Sequence, residues 1–219
     1  MNSTSRIVPA ILTDDPDALK SMIRLTETFT DYIQIDIMDG RYVPSTSITA
    51  EHLMKLSIKT DWEAHLMVDN PENYLEDYRK AGAKRVVFHY EATGKLLKVI
   101  GLAEKLGLPF GLAINPDTPI KAVLPFCDNL DCLLFLSVNP GFYGSPFIPD
   151  VLNKIKQFRS LCPNMETGID GGIKDGNITR VAQTGVDYIC VGSAIFMQPD
   201  PAASYHHLCE LAAEASAPL

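Results

Sequence analysis

No C-x-x-C pair occurs among the five cysteines (Cys127, Cys132, Cys162, Cys190 and Cys209), and their number is odd. A disulfide framework or a thiolate zinc site is therefore not expected, and a reducing, cytoplasmic setting fits. Apolar runs fall short of the roughly 18 residues needed to span a bilayer. No long apolar stretch follows the N-terminal Met1-Asn2-Ser3-Thr4-Ser5-Arg6 either. A soluble, unexported protein with no membrane partner is expected. Positive charge is scarce: 19 Lys and Arg against 27 Asp and Glu give a formal net charge of -8. Such a chain repels polyanions at long range, which argues against nucleic acid as a partner. An anionic small molecule is not excluded, because backbone N–H groups hold phosphate locally. No linker or low-complexity segment divides the chain, and the G-x-G-x-x-G of a dinucleotide-binding sheet is missing after the first strand pattern.

What is present is alternation. Short, nearly all-apolar runs read as strands over Ile7–Leu12, Tyr32–Met38, Trp62–Met67, Arg85–His89, Pro109–Ile114, Cys132–Val138, Glu166–Asp170 and Tyr188–Val191. Runs without polar alternation are expected where both sheet faces are covered. Amphipathic stretches separate them: Pro16–Phe29, Pro71–Ala81, Lys95–Leu106, Pro149–Leu161, Gly176–Thr184 and Pro201–Ala213. Asp14-Asp15 before Pro16 is a good cap, and Gly82 and Gly107 are typical helix stops. Repeated βαβ units in 219 residues predict one α/β domain over residues 1–219, a (β/α)8 TIM barrel. A doubly wound open sheet is the runner-up.

The polar residues that end these strands carry the chemistry. Asp36 closes the second strand and Asp170 the seventh, each followed by a glycine-bearing loop. A parallel barrel presents its reactive groups at that end. Strand alternation puts Gln34, Asp36 and Met38 on one face, and Ile33, Ile35 and Ile37 toward the helices. Polar side chains inside a barrel are costly unless they bind something. His65 ends the third strand, beside Asp36, where imidazole and carboxylate together suit zinc, iron or manganese. Asp39, before Gly40, reads as a turn residue. Gly171-Gly172 and Gly192-Ser193 follow the seventh and eighth strands, where such barrels commonly bind phosphate. The loop Gly141-Phe142-Tyr143-Gly144 after the sixth strand could close over a substrate, or be an ordinary turn. His89 and Glu91 are possible supporting partners, with Glu91 read equally as an exposed cap, while His52, His206 and His207 read as surface residues.

These segments, from Pro9-Ala10-Ile11-Leu12 to Gly192-Ser193-Ala194-Ile195-Phe196, resemble the ribulose-phosphate 3-epimerase family. The match includes Asp36-Ile37-Met38-Asp39-Gly40, His65-Leu66-Met67-Val68, His89-Tyr90-Glu91-Ala92, Asn115-Pro116-Asp117-Thr118, Ser137-Val138-Asn139-Pro140-Gly141-Phe142 and Asp170-Gly171-Gly172. The resemblance implies a cytoplasmic isomerase of pentose phosphate metabolism. It would invert the carbon next to the carbonyl of ribulose 5-phosphate or a related ketose phosphate. Asp36 and Asp170 would be the acid/base pair. Asp36, His65 and Asp170 would hold a divalent cation (Zn, Fe, Mn or Co). Gly141, Phe142, Tyr143, Gly144, Gly171, Gly172, Gly192 and Ser193 would wrap the sugar phosphate.

Several positions depart from the family pattern. A metal-binding histidine is usual where Gln34 stands, and a serine where Ala10 stands. Ser45, Leu136 and Tyr143-Gly144-Ser145 also differ. An amide oxygen from Gln34 would be a fourth, poorer ligand, so weaker metal binding, a different metal or none is expected. Loss of the hydroxyl at Ala10 is expected to cost about 1–3 kcal/mol of substrate contact. Two alternatives stay open: a sugar-phosphate-binding relative with altered or lost catalysis, and another phosphate-binding barrel enzyme such as an aldolase or decarboxylase. Assembly into a homo-oligomer is also left open.

Overall fold

Buried β-branched and aromatic runs close into a ring because each strand hydrogen-bonds to the next and the last to the first. The computed structural model describes residues 4–141 and 145–216. Its strands are β1 (Arg6–Ile11), β2 (Tyr32–Met38), β3 (Asp61–Met67), β4 (Arg85–His89), β5 (Phe110–Ile114), β6 (Cys132–Leu136), β7 (Glu166–Asp170) and β8 (Tyr188–Val191). They form one closed parallel barrel in sequence order. The helices are α1 (Pro16–Thr26), α2 (Ala50–Met54), α3 (Leu75–Lys80), α4 (Leu96–Leu106), α5 (Val151–Leu161), α6 (Asp175–Ala182), α7 (Ser193–Phe196) and α8 (Pro201–Ser216). This is a TIM barrel. Among the described residues, no helix is long and apolar enough to cross a membrane.

The eight expected strands are all found, with ends shifted by two residues at most. The helices differ more. Residues 27–29 leave α1 early, where the Thr26 and Thr28 hydroxyls donate to the Ile23 and Leu25 carbonyls and compete with the helical ladder. The stretch expected as a helix from Pro71 begins as a 3-10 turn, Pro71–Asn73, after left-handed Asn70 (φ 53°). The short α2 and α7 have too few turns to show a period. Two 3-10 turns, Ile120–Ala122 and Leu124–Asn129, take the place of a helix between β5 and β6. Pro119 and Pro125 in that connection lack the N–H a longer helix would need.

Strand alternation sorts the apolar side chains into two groups. Ile7, Ile11, Ile33, Ile35 and Ile37 join the layer between strands and helices. Val8, Ala10, Leu134, Leu136, Tyr188 and Cys190 pack inside the barrel. The lower part of the interior is polar and closed. Arg85 Nε donates to Glu63 Oε2 at 2.8 Å, its guanidinium also pairs with Glu166, and it lies over the Tyr188 ring at 5.2 Å. Gly168 has no side chain because the Tyr188 ring occupies that space: a Cβ there would lie 2.2 Å from a ring carbon. The floor is therefore filled, and the open space lies at the opposite, C-terminal end of the strands.

Candidate active site

Register brings the strand-end residues together. Asp36 on β2 is level with His65 on β3, Ala10 on β1 with Gln34, and Asp170 on β7 with both Leu136 and Cys190. Asp36, His65 and Asp170 each offer a ligand atom, all within 4.8 Å of one another. Two carboxylate oxygens and one imidazole nitrogen so close suit a divalent cation in number and type. The three residues expected to bind metal thus form one cluster, and both carboxyls face one hollow.

The hydrogen bonds inside the cluster are specific. His65 Nδ1 lies 2.9 Å from Asp36 Oδ1 and 3.4 Å from Asp170 Oδ2. Gln34 Nε2 donates to the same two oxygens, at 2.9 Å and 2.7 Å. The Gln34 oxygen, the atom that would ligate a metal, instead accepts from Cys190 Sγ at 3.0 Å. His65 Nε2 meets His89 Nε2 at 3.0 Å, and His89 Nδ1 lies 3.5 Å from Glu91 Oε2. Glu91 is held in turn by the Asn115 N–H and the Thr118 hydroxyl. His89 and Glu91 therefore stand behind His65, the supporting position expected of them.

Burial dominates the electrostatics. It pushes the Asp36 carboxyl up to about 6; the bonds from His65 and Gln34 oppose it and the Asp170 charge adds to it. Burial also works against a charged His65, yet the contacts with Asp170 and Asp36 outweigh it and raise the imidazole to about 10. Burial pushes His89 down to about 4, and the neighbouring His65 pushes the same way, so its ring is neutral. With no cation bound, a protonated His65 between the two carboxyls and a neutral ring behind it is a consistent proton arrangement, and a metal would displace the Nδ1 proton.

Around the cluster the pocket is lined by apolar Leu12, Met38, Met67, Leu136 and Val138 on one part and by Gly141, Ser145, Gly171, Gly172, Gly192 and Ser193 on another. Met38, Val43 and Met67 pack as a small apolar group at the mouth. Gly171 (φ 109°) and Gly172 (φ 65°) take left-handed conformations, and a Cβ on Gly171 would sit 2.5 Å from Val138. Gly141 is tied to the loop after β2, where Ser45 Oγ donates to its carbonyl at 2.7 Å. Phe142, Tyr143 and Gly144 lie outside the described residues. Asp39 is the expected turn anchor: its carboxylate accepts the N–H groups of Arg41, Tyr42 and Asp69.

Three supporting residues were not singled out from sequence. Cys190 sets the Gln34 amide. Ser47 donates to the Asp36 carbonyl and accepts from Met38 N–H, which fixes the end of β2. Ser137 Oγ lies 3.0 Å from the Asp170 carbonyl and 2.6 Å from that of Gly171. Alternation along β8 places Cys190 on the lumen side and so offered a signal. Ser47 lies well past the end of β2 and offered none, whereas Ser137 stood within the expected sixth strand and in a segment that carries the resemblance, with no role assigned to it.

The sequence matches a known family. A family model described as the ribulose-phosphate 3 epimerase family aligns with residues 6–196. The chain belongs to the ribulose-phosphate 3-epimerase family. The ribulose-phosphate 3-epimerase of Mycobacterium tuberculosis is 38% identical over 192 residues, covering 85% of this chain and 84% of its own. That of Synechocystis is also 38% identical, over 215 residues and 91% of each chain. Among solved structures, KGPDC from Streptococcus mutans superposes with a TM-score of 0.77 at 12% identity, covering 97% of this chain and 99% of that one. This last likeness is one of fold. Family membership makes the protein a sugar-phosphate epimerase, an isomerase acting on carbohydrates.

Proposed function

We propose that this epimerase inverts the carbon next to the carbonyl of ribulose 5-phosphate or a closely related ketose phosphate, with Asp36 and Asp170 as its two acid/base groups. The observation that carries the reading is that Asp36 Oδ1 and Asp170 Oδ2 face the same His65 nitrogen and the same Gln34 nitrogen. They reach it from strands on different sides of the barrel. One carboxylate takes the proton from one face of the substrate carbon. The other, protonated, returns a proton to the opposite face. The carbon passes through a planar state, so opposite placement of the two groups decides the inversion. The apolar wall of Met38, Met67 and Leu136 keeps water from the carbon.

Asp36, His65 and Asp170 would hold the divalent cation, and a mixed oxygen and nitrogen set suits zinc, iron, manganese or cobalt. When bound, that cation stabilises the negative charge that grows on the substrate oxygens as the proton leaves. His89 and Glu91 orient His65 from behind, the arrangement that fixes a ligating imidazole. The phosphate would sit against the loop at Gly171-Gly172, which precedes the Lys174 N-cap of α6, and against Gly192-Ser193, which opens α7. Gly141 would close the third side. The expected setting is the cytoplasm. Among the described residues, no lysine lines the pocket, so an aldolase relying on a lysine imine has no support here.

Incubation with ribulose 5-phosphate in deuterated water tests the reading. The expected result is conversion to xylulose 5-phosphate with solvent deuterium at carbon 3. Absence of both conversion and exchange, with Zn, Fe, Mn or Co supplied and with hexulose 6-phosphates also tried, would overturn it.

A further inference from the structure

Gln34 is fully buried and does not line the pocket. It is the group that ties the two aspartates together from below. Its Nε2 donates to Asp36 Oδ1 and Asp170 Oδ2, and its Oε1 accepts from Cys190 Sγ. Ionised carboxylates only accept hydrogen bonds. Turning the amide over would set Oε1 against both aspartate oxygens and repel them. It would also take the acceptor away from the Cys190 thiol. That thiol is 1% exposed, and burial raises it far above its ordinary range, so it remains a donor. All three neighbours of the amide therefore favour one orientation, with the nitrogen toward the acids.

Building on the epimerase reading, we propose that Gln34, oriented by Cys190, is a positioning residue: its amide N–H groups hold Asp36 and Asp170 toward one hollow, and its oxygen is not a metal ligand. One donor group shared between two carboxyls sets their separation, and His65 Nδ1 braces the same two oxygens from the other strand. The pair has to lie on either side of one carbon, so a small error in either carboxyl lowers the rate steeply. Cys190 acts one step further out, by holding the amide.

The test is Gln34→Met, which keeps length and burial and removes both the donor and the oxygen. It is measured with ribulose 5-phosphate at saturating Mn2+, alongside a calorimetric Mn2+ titration and thermal unfolding. The expected result is a fall in kcat of about 10- to 100-fold. KM should stay within about twofold, Mn2+ affinity should fall by no more than about 100-fold as the two carboxyls loosen, and Gln34→Glu, which keeps an oxygen but loses the donor, should lose at least as much kcat as Gln34→Met. Cys190→Ala, which leaves Gln34 in place but unanchored, should lose a few-fold in kcat with unchanged Mn2+ affinity; it serves as the test if Gln34→Met does not fold. A Gln34→Glu protein with wild-type kcat and Mn2+ affinity, beside a Gln34→Met protein that loses both, would show a ligand oxygen and overturn the proposal. An unchanged kcat in Gln34→Met, or in Cys190→Ala where that variant stands in, would overturn it as well. A wild-type protein that does not epimerise would instead defeat the parent reading, and the Mn2+ affinity of Gln34→Glu against that of Gln34→Met would then decide the role of Gln34.

Discussion

Asp170→Asn should lower the rate of inversion by about 10²–10⁴-fold, the range expected when a general acid/base is removed. The substitution is close to isosteric. An asparagine oxygen can still accept from Gln34 Nε2, now at 2.7 Å from Asp170 Oδ2, so the local frame should survive. What disappears is the ability to carry a proton to or from one face of the substrate. KM should change little, because on the proposed placement the phosphate meets backbone N–H groups, which the side-chain change leaves in place. The melting temperature should stay within a few degrees, since no buried charge is left newly unpaired on Asp170 itself. Steady-state kinetics with ribulose 5-phosphate checks this. A variant that keeps more than a tenth of the wild-type kcat would assign the chemistry elsewhere.

Gly171→Ala should lower kcat/KM by about 100-fold, mostly through KM. Gly171 has φ 109°, a conformation an alanine rarely adopts, and the new Cβ would meet Val138 Cγ2 at 2.5 Å. Both the strain and the clash push the loop away from β6. Its carbonyl also accepts from Ser137 Oγ at 2.6 Å, so that tether would be strained too. On the proposed placement, the displaced backbone N–H groups would no longer meet the phosphate, while Asp170, one residue earlier, would move less. Inorganic phosphate as a competitive inhibitor should weaken in parallel. Gly176→Ala is the control, because a Cβ added there would meet nothing within 4 Å and α6 gains from alanine. It should keep full activity. A Gly171→Ala protein with kcat/KM within twofold of wild type would remove the phosphate role from this loop.

The barrel could be read from the chain because both faces of every strand are covered. Runs such as Cys132–Leu136 and Val86–Phe88 stay apolar throughout. The same alternation that buries Ile33, Ile35 and Ile37 outward turned Gln34 and Asp36 inward, so the acids of the site were legible as misfits inside a core. Family resemblance then supplied roles that spacing alone left open. Which atom of Gln34 faces the acids was not legible, since it depends on Cys190, a residue 156 positions away. Nor was α2, whose five residues are too short for a period and which begins at Thr49 capped against His52. The β5–β6 connection also escaped, because its prolines replace a helix with two tight turns.

The arrangement of two acids on opposite sides of one carbon is tested most directly by hydrogen exchange in Asp36→Asn and Asp170→Asn, each given the two epimers separately in deuterated water. With one acid left, a proton can still be lifted and replaced on that side alone. Each variant should therefore label one epimer without inverting it, and the two variants should label opposite epimers. Labelling of the same epimer by both, or of both epimers by either one, would contradict it.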